Sequence, residues 1–278
     1  MPEPTVPSAD LGLTWRPISL DDIDVWHRLI GAIEAHDDPT ERLDHGDLVD
    51  ELTAGSYKDP ERDSLIGLDG AGVARAFGHQ TPLPGATLRR IFLWGGVHPE
   101  WRRRGIGGEL LRWQTERARA TLDEQEAVDP DLAGVAWRIA VNFEERLTDR
   151  DVEAWAMWTT GHRSFRRDWS RVILDPTRPD EAGRAPVAGY LVAHAYPQDW
   201  EALGHSQGRV DLIGVRPAWR GRGLAPALLA EALRIFATAG MDAAGLDVDT
   251  GNETGALRLY EGMGFAAYRT SVTWSIEG

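Results

Sequence analysis

A short segment rich in arginine and glycine has the residue types that a phosphate-binding turn needs. It covers residues 215–225 and reads Val-Arg-Pro-Ala-Trp-Arg-Gly-Arg-Gly-Leu-Ala, between a predicted strand over 208–215 and a predicted helix over 225–240. The first amides of a helix have no internal partner and lie at the positive end of its dipole. Glycine lets the backbone approach a bulky anion closely, and successive amides then surround it. The segment therefore predicts a binding site for a phosphate group.

The same pattern occurs a second time, upstream, over residues 97–108. That copy reads Val-His-Pro-Glu-Trp-Arg-Arg-Arg-Gly-Ile-Gly-Gly, so that Val, Pro, Trp, Arg and Gly recur in register. A helix is predicted after it over residues 108–122. A repeat of this complexity indicates that the chain contains two related halves. Neither copy is a Rossmann dinucleotide fingerprint, because the third glycine of that motif is missing.

Both copies resemble the Arg-x-x-Gly-x-Gly/Ala loop with which the GNAT superfamily of N-acetyltransferases binds the pyrophosphate of an acyl-CoA. The motif occupies residues 102–107 in the upstream copy and residues 220–225 in the downstream copy. Residues 252–265 resemble the last characteristic block of the family. Because two such units stand in one chain, most of residues 12–278 is similar to the tandem GNAT proteins.

The resemblance implies a mixed α/β (α+β) fold with two GNAT units, each a mixed, mostly antiparallel sheet flanked by helices. The predicted units are residues 12–175, expected to be non-catalytic, and residues 186–278, expected to be catalytic, joined by a proline-rich linker over 175–185. The second unit is shortened, since it lacks room for the first strand and the two helices that begin the first unit. In the family those helices commonly shape the acceptor site, so this departure concerns the acceptor pocket and not the donor loop.

Hydrophobic periodicity and turn residues predict the elements of both units. In the first unit, strands are expected over residues 13–17, 64–68, 73–80, 88–97, 134–141 and 164–174, and further helices over 19–33, 46–54 and 149–160. In the second unit, strands are expected over residues 187–194, 208–215, 244–248 and 267–276, and a last helix over 255–262.

The resemblance also implies acetyl-CoA as a co-substrate held by the two loops. The strand ends before the loops are expected to pair with the pantetheine amides as an added strand would. An ordinary strand-to-helix turn with surface arginines is the alternative for each loop. The predicted donor contacts are Val97, Arg102, Arg103, Arg104, Gly105, Ile106, Gly107, Ile213, Gly214, Val215, Arg220, Gly221, Arg222, Gly223, Leu224, Ala225 and Asn252.

Amine acetylation needs one group that takes the ammonium proton and another that protonates the leaving thiolate. The family has a tyrosine acid at the position that Tyr260 holds here, and a core tyrosine anchored by its hydroxyl is the alternative. Asp211 is the candidate base, because it lies on the strand that enters the second loop and shares a face with Val215. A sheet aspartate paired with Arg209 is the alternative at that position.

The first half offers neither group. Met157 occupies the position that corresponds to the tyrosine acid, and methionine cannot donate a proton. The strand over residues 90–94 carries no carboxylate. Three further acids of the second half, Asp247, Asp249 and Glu253, are weaker base candidates or form an acidic wall for a cationic acceptor.

The composition limits the classes of partner. A net charge of −14 argues against a nucleic-acid groove and against adhesion to anionic membranes. No run approaches the roughly 20 apolar residues that span a bilayer, and we expect no secretory signal. The chain has no cysteine for a disulfide, a nucleophile or a metal, and no histidine pair has metal-site spacing. We expect a cytoplasmic protein without a metal, in which His194 is structural rather than a pocket residue.

The sequence therefore favours an acetyl-CoA-dependent N-acetyltransferase in which a primary amine of a small molecule or peptide attacks the donor directly. A non-catalytic acyl-CoA-binding sensor or scaffold is the alternative, and a third interpretation places the acceptor over the more complete first unit. The acceptor stays open among a cysteinyl amine on an inositol sugar, antibiotic amines, amino acids and protein N-termini. The sequence does not indicate an oligomeric state.

Overall fold

A computed structural model describes residues 4–37, 39, 41–53, 59–83, 88–141, 156, 159–179, 183–248 and 256–278. The contacts divide the chain into two compact units. One unit combines Met1–Met157 with Ser271–Gly278, and the other is Trp158–Thr270. The boundaries proposed from the sequence differ from this division in two places, because residues 159–175 lie with the second unit and the last residues lie with the first.

The first unit contains a six-stranded sheet in the order β1-β2-β3-β4-β5-β10. Only β4 and β5 run parallel, so the sheet is mixed and mostly antiparallel, as predicted. The strands are β1 (Thr14–Arg16), β2 (Ser64–Leu68), β3 (Ala74–Leu83), β4 (Arg89–Val97), β5 (Trp137–Val141) and β10 (Trp274–Glu277).

Four helices accompany this sheet in the described part of the first unit. They are α1 (Ile23–Asp37), α2 (His45–Thr53), α3 (Pro60–Asp63) and α4 (Ile106–Val128). The predicted helical spacing in α1 is confirmed, because Ile23, Trp26 and Ile30 are buried on one face. Ser19 and Asp22 form a capping box just before this helix, which satisfies amides that would otherwise lack a partner.

The second unit contains a four-stranded sheet in the order β6-β7-β8-β9, with β8 and β9 parallel. Its strands are β6 (Arg171–Leu174), β7 (Val187–Ala195), β8 (Gln207–Val215) and β9 (Ala243–Leu246). Its described helices are α5 (Trp200–Leu203), α6 (Leu224–Thr238) and α7 (Ala256–Gly262). The apolar face of α6 packs on the sheet through Leu229, Ala232 and Phe236, which form one core with Leu191 and Val210.

Two strands predicted from the sequence are wrong in extent and in the unit to which they were assigned. The strand predicted over residues 164–174 shortens to β6, which pairs with β7 in the second unit. The strand predicted over residues 267–276 shortens to β10, which pairs with β5 in the first unit. Alternation along a strand identifies its buried face but not the strand beside it, so the sequence assigned each strand to the wrong half.

Two other expectations concern a further helix and the absence of a membrane-spanning segment. The helix predicted over residues 149–160 falls almost entirely outside them. Within them, no helix combines the length and the apolar character that crossing a membrane would require.

Candidate active site

The two arginine- and glycine-rich segments fold into the same turn. After β4, a single 3₁₀ turn over Pro99–Trp101 leads to Gly105, the N-cap of α4, with φ 85°. After β8, the turn Pro217–Trp219 leads to Gly223, the N-cap of α6, with φ 75°. A left-handed residue at this point favours glycine, which explains why both copies carry one there. The predicted repeat is therefore confirmed as a repeat in structure.

Arginines brace both turns through matching hydrogen bonds. In each turn the first arginine donates from Nε to the last carbonyl of the preceding strand, Arg102 to Val97 and Arg220 to Val215, both at 3.0 Å. The third arginine of the upstream turn donates to Glu100 O at 3.0 Å, and Arg222 donates to Ala218 O at 3.3 Å. These bonds hold the turns in shape before any ligand is present.

The two turns differ in the charge that they leave free. The guanidinium of Arg102 binds both carboxylate oxygens of Asp37 at 2.7 Å, and it holds the pKa of that carboxyl at about 2. Arg220 has no carboxylate partner in the described part of the chain and lies exposed. Since a phosphate competes with any carboxylate for an arginine, the downstream turn is the better prepared anion site.

Open space above the turns suits a phosphate group. A Cβ added at Gly221 or at Gly223 would meet no heavy atom within 4 Å. In the upstream turn a Cβ at Gly105 would come only within 3.9 Å of Leu11, and one at Gly107 within 3.8 Å of Val97. The predicted loop residues therefore leave room for an anion against the first amides of each helix.

In the first unit, a cavity opens where β4 leaves its parallel neighbour. The last β4–β5 pair is Leu93 with Val141, and β4 continues to Val97 without a described partner on that side. A cavity of about 370 Å³ lies there, beside the upstream turn. Its lining includes Gly95, Gly96, Val97, Arg102, Arg103, Gly107 and Gln114.

In the second unit, the corresponding strand separates at Asp211 and carries a bulge there. The last β8–β9 pair is Val210 with Leu246. Across β7, Leu212 pairs with Val192 while Val210 pairs with Ala193, so that Asp211 is the extra residue. Bulges re-aim side chains and are enriched beside active sites. Strand β4 shows no such shift along β3, and the bulge therefore distinguishes the second unit from the first.

Three polar side chains surround the carboxylate of Asp211. The hydroxyl of Tyr196 donates to Oδ2 at 2.6 Å, Arg209 Nε lies 3.3 Å from Oδ1, and His194 Nδ1 lies 3.4 Å from Oδ2. Oδ1 is buried and accepts no hydrogen bond. Burial raises the pKa of Tyr196 far above its usual value, so this phenol stays protonated and remains a donor. The pairing with Arg209, which the sequence offered as the alternative to a base at Asp211, is present, and Arg209 also pairs with Asp247.

A buried hydrogen-bond chain continues from this cluster. Ser164 Oγ lies 2.7 Å from His194 Nδ1 and 2.5 Å from His162 Nδ1. His194 is fully buried, and burial lowers its pKa and keeps the ring neutral. Both Ser164 and Asp211 approach the same nitrogen of His194, while Nε2 has no partner. A serine–histidine–carboxylate triad needs the two ring nitrogens to serve different partners, so this chain is not a nucleophilic triad.

Sequence reasoning missed the contributions of Ser164, His162 and Tyr196. A usable signal existed for Tyr196, which stands two residues after His194 on the chain. His194 lies opposite Arg209 in the β7–β8 register, and Arg209 stands two residues before Asp211. Ser164 and His162 gave no signal, because the sequence analysis placed them in the first half. The expectation that His194 is structural agrees with its burial.

Tyr260 lies in the apolar core of the second unit. It is 8% exposed on α7 and packs edge-on against Phe265 with ring centres 6.1 Å apart. Its hydroxyl has no hydrogen-bond partner among the described residues, and burial raises its pKa. The phenol is therefore a protonated donor without an acceptor.

Several predicted residues cannot be compared with the structure. Asn252, Met157, Asp249 and Glu253 lie outside the described residues. Within the described ranges, no group of three or more potential ligands is placed to hold a metal ion.

Each unit thus has a parallel strand pair that separates, followed by a turn that exposes helix amides to a phosphate. Together with the mixed sheets, this arrangement defines the acyl-CoA-dependent acyltransferase class that the two motifs predicted.

Sequence comparison agrees with this class. A profile of the acetyltransferase (GNAT) family matches residues 133–265. The mycothiol acetyltransferase of Streptomyces avermitilis is 33% identical over 222 residues, which cover 75% of this chain and 68% of that protein. The mycothiol acetyltransferase of Nocardiopsis dassonvillei is 43% identical over 72 residues, which are 26% of this chain and only 22% of that protein. The chain belongs to the GNAT family of acetyltransferases.

Solved structures show the two-unit fold. A GCN5-related N-acetyltransferase from Sphaerobacter thermophilus matches with a TM-score of 0.63 and 18% identity, over 98% of this chain and 97% of that one. A tandem GNAT protein from the clavulanic acid biosynthesis pathway matches with a TM-score of 0.56 and 16% identity, over 95% and 98%. The predicted tandem GNAT architecture is confirmed.

Proposed function

We propose that this chain is an acetyl-CoA-dependent N-acetyltransferase whose second unit, Trp158–Thr270, transfers the acetyl group to a primary amine of a small molecule or peptide. The observation that carries this proposal is the bulge at Asp211, which places a carboxylate on β8 just beyond its last pair with β9, among Tyr196, His194 and Arg209. In the first unit, β4 carries no acidic residue and shows no register shift along β3.

The downstream turn is the proposed donor site. Acetyl-CoA would supply an activated acetyl thioester, and the amides at the start of α6 together with Arg220 and Arg222 would hold its pyrophosphate. The open space at Gly221 and Gly223 supports this assignment. The strand end Ile213-Gly214-Val215 lies beyond the last β8–β9 pair, so its backbone is available to the pantetheine amides.

Asp211 is the proposed general base. An amine binds as an ammonium ion and must lose a proton before it can attack, and a carboxylate in a partly buried site accepts that proton. Tyr196 fixes the orientation of this carboxylate through its 2.6 Å hydrogen bond to Oδ2. Because Oδ1 is buried and lies beside Arg209, the ammonium proton is proposed to reach this carboxylate through water.

Tyr260 is the proposed general acid. Its protonated hydroxyl would donate to the thiolate that leaves when the carbon–sulfur bond breaks. Direct attack by the amine is favoured over an acyl-enzyme route, because the chain has no cysteine and Ser164 is buried outside a triad. The ammonium loses two protons on its way to the amide: Asp211 takes the first and releases it to solvent, and the second replaces the proton that Tyr260 gives to the sulfur.

The proposed acceptor is a cationic amine, and the proposal names no particular molecule that carries it. The curated relatives carry the name mycothiol acetyltransferase, so an amine of mycothiol type is the first acceptor to assay. The acidic side chains of Asp211 and Asp247 beside Arg209 suit a positively charged group. Antibiotic amines, amino acids and peptide N-termini form the remaining panel.

Tyr260→Phe tests the enzymatic proposal directly. We expect kcat to fall about 10²-fold, because general acid catalysis contributes at least about that factor, while the KM for acetyl-CoA stays unchanged. Release of free CoA thiol, measured with a saturating amine, gives both constants. Tyr268→Phe removes an exposed hydroxyl from the same unit and should leave both unchanged.

A non-catalytic acyl-CoA-binding module is the second candidate, and the burial of Tyr260 in the apolar core favours it. Transfer of acetyl to any amine of the panel excludes that candidate. Full turnover in Tyr260→Phe would instead show that another group, or solvent, protonates the sulfur.

Tyr196→Phe should lower kcat about tenfold and leave the KM for acetyl-CoA unchanged. The phenylalanine keeps the ring but removes the hydrogen bond to Asp211 Oδ2, and a lost hydrogen bond to a charged group costs about 1.5 kcal/mol or more. Steady-state kinetics with the best amine of the panel measures the effect. Ser164→Ala disturbs the same hydrogen-bond chain one step away from Asp211, and we expect a smaller loss. Equal losses in both variants would show that the whole chain, rather than the contact with Asp211, matters.

A further inference from the structure

The hydrogen-bond chain beside Asp211 leads from an enclosed carboxylate to a half-exposed histidine. The side chain of Asp211 is 14% exposed, and Oδ2 lies 3.4 Å from His194 Nδ1. From that nitrogen the chain continues 2.7 Å to Ser164 Oγ and then 2.5 Å to Nδ1 of His162. Ser164 and His194 are buried, whereas His162 is half-exposed. The chain therefore connects the proposed base with a side chain that reaches solvent.

The hydrogen positions at the outer end of this chain follow from its donors. His162 Nδ1 accepts the backbone N–H of Ser164 at 3.3 Å, so this nitrogen carries no hydrogen. The hydrogen in the 2.5 Å contact then belongs to the Ser164 hydroxyl, which donates to His162. A serine hydroxyl has a single hydrogen, so the contact with His194 runs the other way, from His194 Nδ1–H to Ser164 Oγ.

The other neighbours of His194 agree with a hydrogen on Nδ1. Oδ2 of Asp211 is an acceptor, and the Tyr196 hydroxyl, 3.3 Å from Nδ1, uses its own hydrogen in the bond to Asp211. Nε2 has no partner among the described residues, and as a bare nitrogen it leaves no buried N–H without an acceptor. Burial lowers the pKa of His194, so the ring is neutral at rest. The hydrogens of His194 and Ser164 therefore both point toward His162, the order that an outgoing proton needs.

We propose that His194, Ser164 and His162 form a proton relay through which Asp211 returns its proton to solvent after each turnover. The proton on Asp211 passes to His194 Nδ1 as the hydrogen already there passes to Ser164 Oγ and the hydroxyl hydrogen passes to His162 Nδ1. Each N–H or O–H bond that breaks is matched by one that forms. Asp211 becomes a carboxylate again, and the positive charge appears on His162. The proposal rests on the proposed function, since it takes Asp211 as the base.

His162 is the member of the relay that exchanges protons with water. Histidine is the side chain whose charge changes near neutral pH, and this ring is half-exposed. Its imidazolium gives a proton to solvent, and tautomer exchange in the exposed ring restores the bare Nδ1. His194 stays buried throughout and touches no substrate, so its role in the relay is compatible with a structural one.

Turnover in weak and in strong buffer tests the relay. His162→Asn keeps an acceptor near the position of Nδ1 but cannot carry a proton. In weak buffer we expect kcat to fall about tenfold, less than a general base itself contributes, because each turnover waits for Asp211 to lose its proton. A high concentration of a tertiary-amine buffer, which cannot be acetylated, should restore kcat to within about twofold of wild type, since it removes the proton through the water that brought it.

The first turnover separates proton release from chemistry. Asp211 begins as a carboxylate, so the first turnover needs no relay. Rapid mixing of His162→Asn with both substrates in weak buffer should give a burst of CoA thiol, equivalent to the enzyme and formed at the wild-type rate, before the slow phase. Ser164→Ala interrupts the same relay and should show the same burst and the same dependence on buffer, which agrees with the small loss expected for it in a buffered assay.

His205→Asn is the matched control, because His205 is a half-exposed histidine of the same unit that lies near Asp242 and not in the relay. Its kcat should match wild type in both buffers. A loss in His162→Asn that is equal in both buffers indicates a structural role and overturns the relay, and so does full activity in weak buffer. The proposed function is judged separately by Asp211→Asn. Full activity in that variant overturns the function, whereas its inactivity beside a buffer-independent His162→Asn overturns the relay alone.

Discussion

Asp211→Asn is expected to lower kcat for acetyl transfer about 10³-fold while acetyl-CoA affinity stays within about twofold of wild type. Asparagine keeps the size of the side chain and can still accept the hydrogen bond from Tyr196, but it cannot take a proton from the ammonium. The position lies on the bulge before the donor-binding strand end, so the loss should fall on the chemical step and not on donor binding. Steady-state kinetics and calorimetry with acetyl-CoA separate the two effects.

Asp247→Asn is the matched control for this experiment. Asp247 also pairs with Arg209, but its side chain is 78% exposed and it makes no contact with Tyr196. A similar loss in both variants would indicate that negative charge near Arg209, rather than a base at Asp211, supports turnover. A fully active Asp211→Asn enzyme would remove Asp211 from the mechanism and leave proton loss to solvent.

The conformation of the two glycine turns was predictable to the residue because it depends on local sequence. Each of these two helices begins at an N-cap residue in the left-handed conformation, which favours glycine, and Gly105 and Gly223 hold those positions. The repeat of Pro, Trp and Arg around each glycine then revealed two copies. Nothing distant in the chain has to be known for this inference.

The environment of Asp211 was not predictable in the same way. Its residue type and strand were identified from the sequence, in which a simple pairing with Arg209 was the alternative interpretation. The bulge depends on how β7 and β8 fit together, and a shift of one residue in that register leaves no mark in either strand alone. Tyr196 and His194 reach Asp211 only across this pairing, so their role emerged from the structure.

The limits of the units were missed because strand partners are not encoded in strand patterns. Residues 159–170 carry Ser164 and His162, and the sequence placed them with the first half because they precede the linker. In the structure Phe165 bridges to His194, and β6 pairs with β7, so this segment belongs to the second unit. Ser164 and His162 therefore belong to the same unit as Asp211, although the sequence analysis assigned them to the first half.

The two units share a turn but divide the remaining chemistry. In the first, Arg102 is bound by Asp37 and β4 lacks the bulge. Gln114 of the first unit also stands where the second unit has Ala232. In the second, Arg220 is free of carboxylates in the described residues and β8 presents Asp211. These differences all favour turnover in the second unit, and they make the separate blocking of each turn informative.

Gly223→Glu is expected to weaken acetyl-CoA at the second unit about 10³-fold and to abolish acetyl transfer. The new carboxylate would fill the open space at the start of α6 and repel the pyrophosphate, and two lost charge-assisted hydrogen bonds cost about 4 kcal/mol together. Gly223→Ala shares the unfavourable φ of 75° but adds no charge, so it controls for strain in the turn. Calorimetric titration of both variants, with Gly105→Glu beside them, measures the stoichiometry and the affinity of each turn.

The stoichiometry of the wild-type chain decides how the result is interpreted. One equivalent that only Gly223→Glu removes would place the donor in the second unit alone and would exclude the upstream turn as a donor site. Two equivalents, of which each glutamate variant removes one, would support both sites, and turnover should then follow the second. Activity that survives Gly223→Glu but not Gly105→Glu would reverse the assignment, because the acetyl group would then leave from the unit that lacks the bulged aspartate.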